Sequence, residues 1–212
     1  MISAVFFDVA NTLLNKPDLY TRILLSLKEF GIRVNEGELI RRHRLLSEVV
    51  TFPDKTSREF YNEFNRELLI SLGITPDEEI VSHIFQSCTY LPWKPFDDTK
   101  VLEEVKLPIG ILSNWDDSLP QKLKEFFSVE FKWVLGSQLQ GKRKPDPGFF
   151  NLILEHSYLK PEEILYVGDS VKLDILPARK LGIKAVLIDR INLYPDSNLN
   201  RISNLREVFK FI

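Results

Sequence analysis

Hydrophobic positions follow two different periods along this chain, and the change of period divides it. Ala4 to Phe7 is an unbroken apolar run, long enough for one buried strand and far short of the ~20 residues that cross a bilayer. Between residues 17 and 88 the apolar positions recur at three and four. They are Tyr20, Ile23, Leu24, Leu27 and Phe30, then Leu39, Leu45, Leu46 and Val49, then Phe60, Phe64, Leu68 and Leu72, then Ile80, Ile84 and Phe85. This spacing predicts four amphipathic helices in succession. Breakers separate them: Gly31, then Phe52-Pro53-Asp54, then Gly73 with Thr75-Pro76-Asp77, where Thr75 is the expected N-cap and Pro76 the first helical position.

Beyond Pro92 short apolar runs alternate with helical patterns. Strands are expected over 107–113, 131–135, 163–167 and 184–188. Helices are expected over 117–127, over 147–156 with Asp146 as cap, over 173–181 and over 205–209. Such alternation predicts an α/β fold, a doubly wound parallel sheet covered on both faces. The helical block reads as a bundle inserted directly after the first strand. The expected domains are therefore an α/β core over 1–14 and 93–212 and a helical domain over 15–92.

Ligands of such sheets bind at the carboxyl ends of the strands, so the polar residues there matter most. They are Asp8 with Asn11 and Thr12, then Ser113-Asn114, then Lys144 on a loop, then Gly168-Asp169-Ser170 with Asp174. A carboxylate ending a buried strand is expensive unless it has work to do. Taken one by one, each has a plainer reading. Asp8 fits an ordinary helix-capping loop, Lys142 or Arg143 would serve as well as Lys144, Gly168-Asp169 fits a turn, and Asp174 suits the first turn of a helix.

Composition narrows the partners. The 212 residues are 44% hydrophobic and 27% charged, enough for one sizeable core and a small second one. A net charge of -2 gives no general attraction to nucleic acid or to an anionic membrane, so a small anionic ligand must be held locally. The single cysteine, Cys88, excludes an intrachain disulfide and a cysteine-rich metal cluster. The N-terminal run lacks a basic leader and breaks at Asp8, so a cytoplasmic location is expected. Oligomeric state is not indicated.

Asp8-Val9-Ala10-Asn11-Thr12, Ser113-Asn114, Lys144-Pro145-Asp146-Pro147 and Gly168-Asp169-Ser170 with Asp174 resemble, in order and spacing, the four signature motifs of the haloacid dehalogenase-like (HAD) hydrolase superfamily. The helical block resembles its C1-type cap and the remainder its Rossmann-like core. The resemblance implies that Asp8 is the nucleophile, that Ser113 binds the transferred group and that Lys144 neutralises charge. It further implies that Asp8, Asp169, Asp174 and the backbone carbonyl of Ala10 hold Mg2+. A carboxylate attacking a phosphate faces anionic repulsion, which a divalent cation and a fixed lysine would relieve.

One departure shapes the expected function. Phosphatases of this superfamily usually carry a second aspartate where this chain has Ala10, and that group protonates the leaving alkoxide. Its absence costs ~10² to 10⁴ in rate for basic leaving groups. Asn11 also stands where glycine is common, and asparagine tolerates a left-handed backbone. Three functions follow: a Mg2+-dependent phosphoryl hydrolase of narrow or weak activity on a small phosphorylated metabolite, a 2-haloacid dehalogenase whose halide departs unprotonated, and a weakly catalytic binding or regulatory protein. The dehalogenase branch typically has an aromatic residue at the Ala10 position and a serine at that of Asp169.

Substrate contacts are expected from Thr12, Asn114, Trp115, Lys16 and Tyr20, the last two lying where the helical block begins. Arg41, Arg42, His43 and Arg44 read as a solvated helix face. Lys55 is the lone mid-block lysine that a Schiff-base mechanism would require. His83 and His156 have no catalytic neighbours in sequence.

Overall fold

The computed structural model describes residues 1–212, which divide into two compact units, Met1–Asn15 with Pro95–Ile212, and Lys16–Lys94. The first is an α/β unit. The six strands of its main sheet are β1 (Ala4–Phe7), β2 (Ile109–Ser113), β3 (Trp133–Gly136), β4 (Ile164–Gly168), β5 (Lys184–Ile188) and β6 (Arg201–Ile202). They form one parallel sheet in the order β3-β2-β1-β4-β5-β6. The chain builds outward from β1 on one side, then crosses to β4 and builds outward on the other. The order therefore reverses at β1, where parallel sheets open a crevice at their carboxyl ends. Phe7 is in register with Ile111 on one neighbour and Val167 on the other, so β1 delivers Asp8 to that crevice.

Every residue of β1, β2 and β4 is buried, as a sheet covered on both faces requires. Phe6, Leu112 and Tyr166 share one face with Phe149, Phe150 and Ile153 of the helix Pro147–Ser157. Asp146 caps that helix by accepting the Gly148 N–H at 2.7 Å.

Residues 173–181 do not form one helix. Val171–Ile175 is a π turn, followed by a short α-helix, Leu176–Lys180. Pro177 has no N–H to extend an α-helical ladder back through this turn, and the N–H of Ile175 instead reaches five residues back to the Ser170 carbonyl at 3.2 Å. The C-terminal segment Leu205–Lys210 is a 3-10 helix rather than an α-helix. The two-residue strand β6 and the 3-10 helix Asp97–Glu103 carry too few residues for a periodic signal.

The second unit holds four helices, Leu19–Glu29, Glu36–Val49, Arg58–Ser71 and Glu78–Cys88, around a core of Ile23, Leu27, Leu39, Leu68, Val81 and Ile84. The fourth helix starts later than Thr75 and Pro76: Asp77 is its N-cap, accepting the Glu79 N–H at 2.8 Å. Its carboxylate, backed by Glu78 and Glu79 in the first turn, suits the positive end of the helix better than a threonine hydroxyl does. Arg41 and Arg42 are exposed, and Arg42 pairs with Glu38 at 2.5 Å. His43 is not a solvated part of that face, since its ring packs edge-on against Tyr20 and Phe64, with centroids at 5.2 and 5.0 Å. His83 pairs with Glu29 at 3.0 Å, and His156 is exposed. Cys88 is half-buried, which pushes its thiol pKa up to about 11. No helix is long and apolar enough to cross a membrane.

Candidate active site

The loop after β1 turns sharply over its own backbone. The Val9 carbonyl accepts from Leu13 and Leu14, both at 2.9 Å, and Asn11 takes a left-handed φ of 57°. Such a φ suits asparagine among non-glycine residues. Asp8, 4% exposed, donates its N–H to the Val167 carbonyl of β4 at 2.9 Å, so its backbone is an extension of the sheet.

Three elements converge on its carboxylate. The Ser113 hydroxyl at the end of β2 donates to Asp8 Oδ1 at 3.0 Å. Lys144, 3% exposed, brings its Nζ to 2.5 Å from the same oxygen and to 2.6 Å from Asp174 Oδ1. Lys142 and Arg143 make no such contact with Asp8, and Lys144 is the cation of the site. The π turn aims Asp174 inward, where Oδ2 accepts the Ser170 N–H at 3.0 Å. Gly168 is the only residue type that this arrangement admits, because a Cβ there would lie 2.3 Å from Asp174 Cγ.

Asp8, Asp169 and Asp174 each offer a carboxylate oxygen within 4.8 Å of the others. Three carboxylates gather beside the Lys144 ammonium, and all the donors are hard oxygens. A divalent cation of the Mg2+ type fits that charge and that chemistry. The same crowding is written into the titration of the site. Burial, aided by Asp174 and Asp169 and opposed by Lys144, pushes the Asp8 carboxyl up to about 7. Burial alone would lower the Lys144 pKa, but Asp174 and Asp8 outweigh it and raise it, so the lysine holds its charge.

Asn114, expected to contact substrate, instead clamps Lys144. Its amide oxygen accepts the Lys144 N–H at 2.8 Å and its NH2 donates to the Lys144 carbonyl at 3.1 Å. The loop carrying the lysine, whose Lys144–Pro145 peptide is cis, is thereby tied to the end of β2. Trp115 is half-buried, its backbone bonded to Ser137 and its indole N–H to Ser118. Thr12 is wholly buried and its hydroxyl has no partner. Ala10 is half-buried. Lys16 and Tyr20 belong to the helical unit, where Lys16 lies 5.0 Å from the Trp93 ring and burial lowers its pKa.

One member of the cluster escapes the sequence reading. The Tyr166 hydroxyl, rooted in β4, lies 2.9 Å from Asp174 Oδ1, 3.0 Å from the Leu112 carbonyl and 3.5 Å from Lys144 Nζ. Burial, with Asp174 and Asp8 beside it, raises its pKa well above the usual phenol value. A lone hydroxyl within the apolar run of residues 164–167 was the available signal.

Known proteins resemble this chain in sequence and fold. A glyceraldehyde 3-phosphate phosphatase from Methanocaldococcus jannaschii is 26% identical over 99% of this chain and 98% of its own. Among solved structures, the magnesium-bound HAD hydrolase YfnB of Bacillus subtilis superposes with a TM-score of 0.66 at 18% identity, covering 99% of this chain and 97% of that one. A 2-haloacid dehalogenase from Pseudomonas syringae pv. Tomato DC3000 gives 0.60 at 21% identity with the same coverage. The family model for haloacid dehalogenase-like hydrolases matches residues 2–182, and this chain, a hydrolase, belongs to that family.

Proposed function

We propose that this chain is a Mg2+-dependent phosphoryl hydrolase with an aspartyl nucleophile, acting on a small phosphorylated metabolite in the cytoplasm. The observation that carries the reading is the acidic trio beside Lys144: three hard carboxylates within reach of one another suit a cation-assisted reaction of an anionic phosphate. Held by Asp8, Asp169 and Asp174, with the Ala10 carbonyl as a further oxygen, Mg2+ would supply Lewis-acid neutralisation of the phosphoryl charge. The carboxylate of Asp8 attacks phosphorus as the bond to the leaving-group oxygen breaks, and water then cleaves the acyl phosphate so formed to inorganic phosphate and free Asp8. Lys144 holds a second positive charge at the nucleophile, and the Ser113 hydroxyl, already 3.0 Å from Asp8 Oδ1, donates to a phosphoryl oxygen drawn there.

Ala10 leaves leaving-group protonation unserved, so acyl and activated aryl phosphates are the preferred substrates. Selection among them is assigned to the helical unit, which carries Lys16 and Tyr20. The same alanine favours a second reading, a 2-haloacid dehalogenase, since halide needs no proton. Against it stands Asp169, which without a cation would repel a substrate carboxylate.

A substrate panel separates the two. Phosphate release is measured from acetyl phosphate, p-nitrophenyl phosphate and glycerol phosphate with and without Mg2+, beside halide release from 2-chloropropionate, with Asp8→Asn as control. Metal-dependent phosphate release, lost in Asp8→Asn, is expected. Halide release without metal would replace the first reading with the second.

A further inference from the structure

Arg190 lies just beyond the end of β5, outside every segment used so far, yet it joins three parts of the α/β unit that are remote in sequence. One NH2 group donates to the Thr12 carbonyl at 2.8 Å, within the loop that follows the nucleophile. The guanidinium also forms a two-pronged pair with Asp98, at 2.8 and 3.0 Å. Its plane stacks on the Phe96 ring, 3.8 Å from the centroid. Phe96 in turn donates its N–H to the Leu13 carbonyl at 3.0 Å. Successive carbonyls of the nucleophile loop are thus held, one by Arg190 and the next by a residue that Arg190 covers. Asp98 is itself fixed, since Oδ2 also accepts the Leu205 N–H at 2.8 Å.

The arrangement demands a planar fork that is always charged, because a carbonyl and both oxygens of a carboxylate are engaged at once while a flat face is presented to a ring. It is kept although the buried Nε finds no acceptor, a cost that packing alone would not require. Asp8 opens the same loop and Ala10 lies within it. We propose that Arg190, seated on Asp98, is a positioning residue for the reaction: by gripping Thr12 it fixes the loop on which the Asp8 carboxylate and the Ala10 carbonyl are aimed.

The inference rests on the hydrolase reading for its kinetic consequence but not for its structural one, and the test has a readout for each. Amide hydrogen exchange on Arg190→Ala should speed up in residues 9–14 by tenfold or more while β3 exchanges as in the wild type. With acetyl phosphate and Mg2+, kcat should fall ~10- to 100-fold with little change in KM, since misplacing a reacting group acts on the chemical step. Arg190→Lys should recover less than a third of the loss, and added guanidinium should restore part of kcat to Arg190→Ala but none to Arg190→Lys. Unchanged exchange in residues 9–14 would overturn the proposal, as would faster exchange with kcat intact. A wild type that turns over no phosphate probe would overturn the hydrolase reading instead, and the exchange measurement alone would then decide the clamp.

Discussion

Lys144 holds its ammonium 2.5 Å from Asp8 Oδ1, with both side chains almost wholly out of solvent, yet the Asp8 carboxyl still titrates far above an ordinary aspartate, at about 7. One ammonium shared between Asp8 and Asp174 does not offset the burial of both. Mg2+ must displace the Asp8 proton to bind, so its apparent affinity should rise with pH up to about 7 and then level, which Mg2+ titrations between pH 5 and 8 measure.

Stability should move the other way. The folded chain keeps a proton on Asp8 that the unfolded chain has released, so this contribution is complete below the ordinary value of 3.8 and is lost as pH rises through about 7. Between pH 5 and 8 without divalent metal, the wild type should lose a few kcal/mol relative to Asp8→Asn, whose amide does not titrate. Mg2+ should flatten the difference. Melting curves for both proteins that run parallel across this range would remove the titration from Asp8.

Gly168→Ala tests how tightly the π turn is built against β4. The added Cβ would lie 2.3 Å from Asp174 Cγ, and Asp174 cannot swing aside without releasing Ser170, Lys144 and Tyr166 together. The expected cost is about 1–3 kcal/mol in urea denaturation, with a fall in kcat/KM of ~10² or more. An alanine variant with the stability and activity of the wild type would mean that the turn accommodates freely.

How much of this could be read from the chain depends on range. The apolar run before Asp8 and the 3.6-residue period of the four helices are local signals, and they foretold β1 and all four helices. Strand ends bearing Ser113 and Gly168-Asp169 were visible for the same reason. The clamp of Asn114 on Lys144 and the grip of Arg190 on Thr12 are pairings across 30 and 178 residues, with no periodicity to announce them. The helix expected at 173–181 failed because a π turn keeps the apolar spacing of a helix while shifting its hydrogen bonds by one residue. That shift is what turns Asp174 toward Lys144.

Tyr166→Phe isolates a single hydroxyl. The phenol carries one proton and lies within 3.0 Å of two acceptors, Asp174 Oδ1 and the Leu112 carbonyl, so its loss leaves one of them a donor short in a buried site. Stability should drop by ~1 kcal/mol. The Mg2+ concentration giving half-maximal activity should rise about tenfold, the lower end for a group that orients a metal ligand from behind. A half-saturation point equal to that of the wild type would separate Tyr166 from the metal site.

Ala10→Asp addresses the group that this chain lacks. On the proposed reading Asp8 is the nucleophile, with Lys144 and the pair Asp169 and Asp174 beside it, and the groups left unsupplied are the proton for the leaving group and the base for the incoming water. Position 10 is half-buried rather than sealed, which leaves an introduced carboxylate access to water. Activity on alkyl phosphates, whose leaving groups are the most basic, should rise by about tenfold or more, while acyl phosphates, which depart without help, should change little. Full rescue at the ~10⁴ end is not expected, because a general acid reaches that value only when its rotamer is held in the productive geometry. The measurement is kcat/KM for matched alkyl and aryl phosphates on the wild type and Ala10→Asp, with Asp8→Asn as the control without a nucleophile. An unchanged alkyl-to-aryl ratio would show that leaving-group protonation does not limit this enzyme, and activity surviving in Asp8→Asn would place the turnover outside this site.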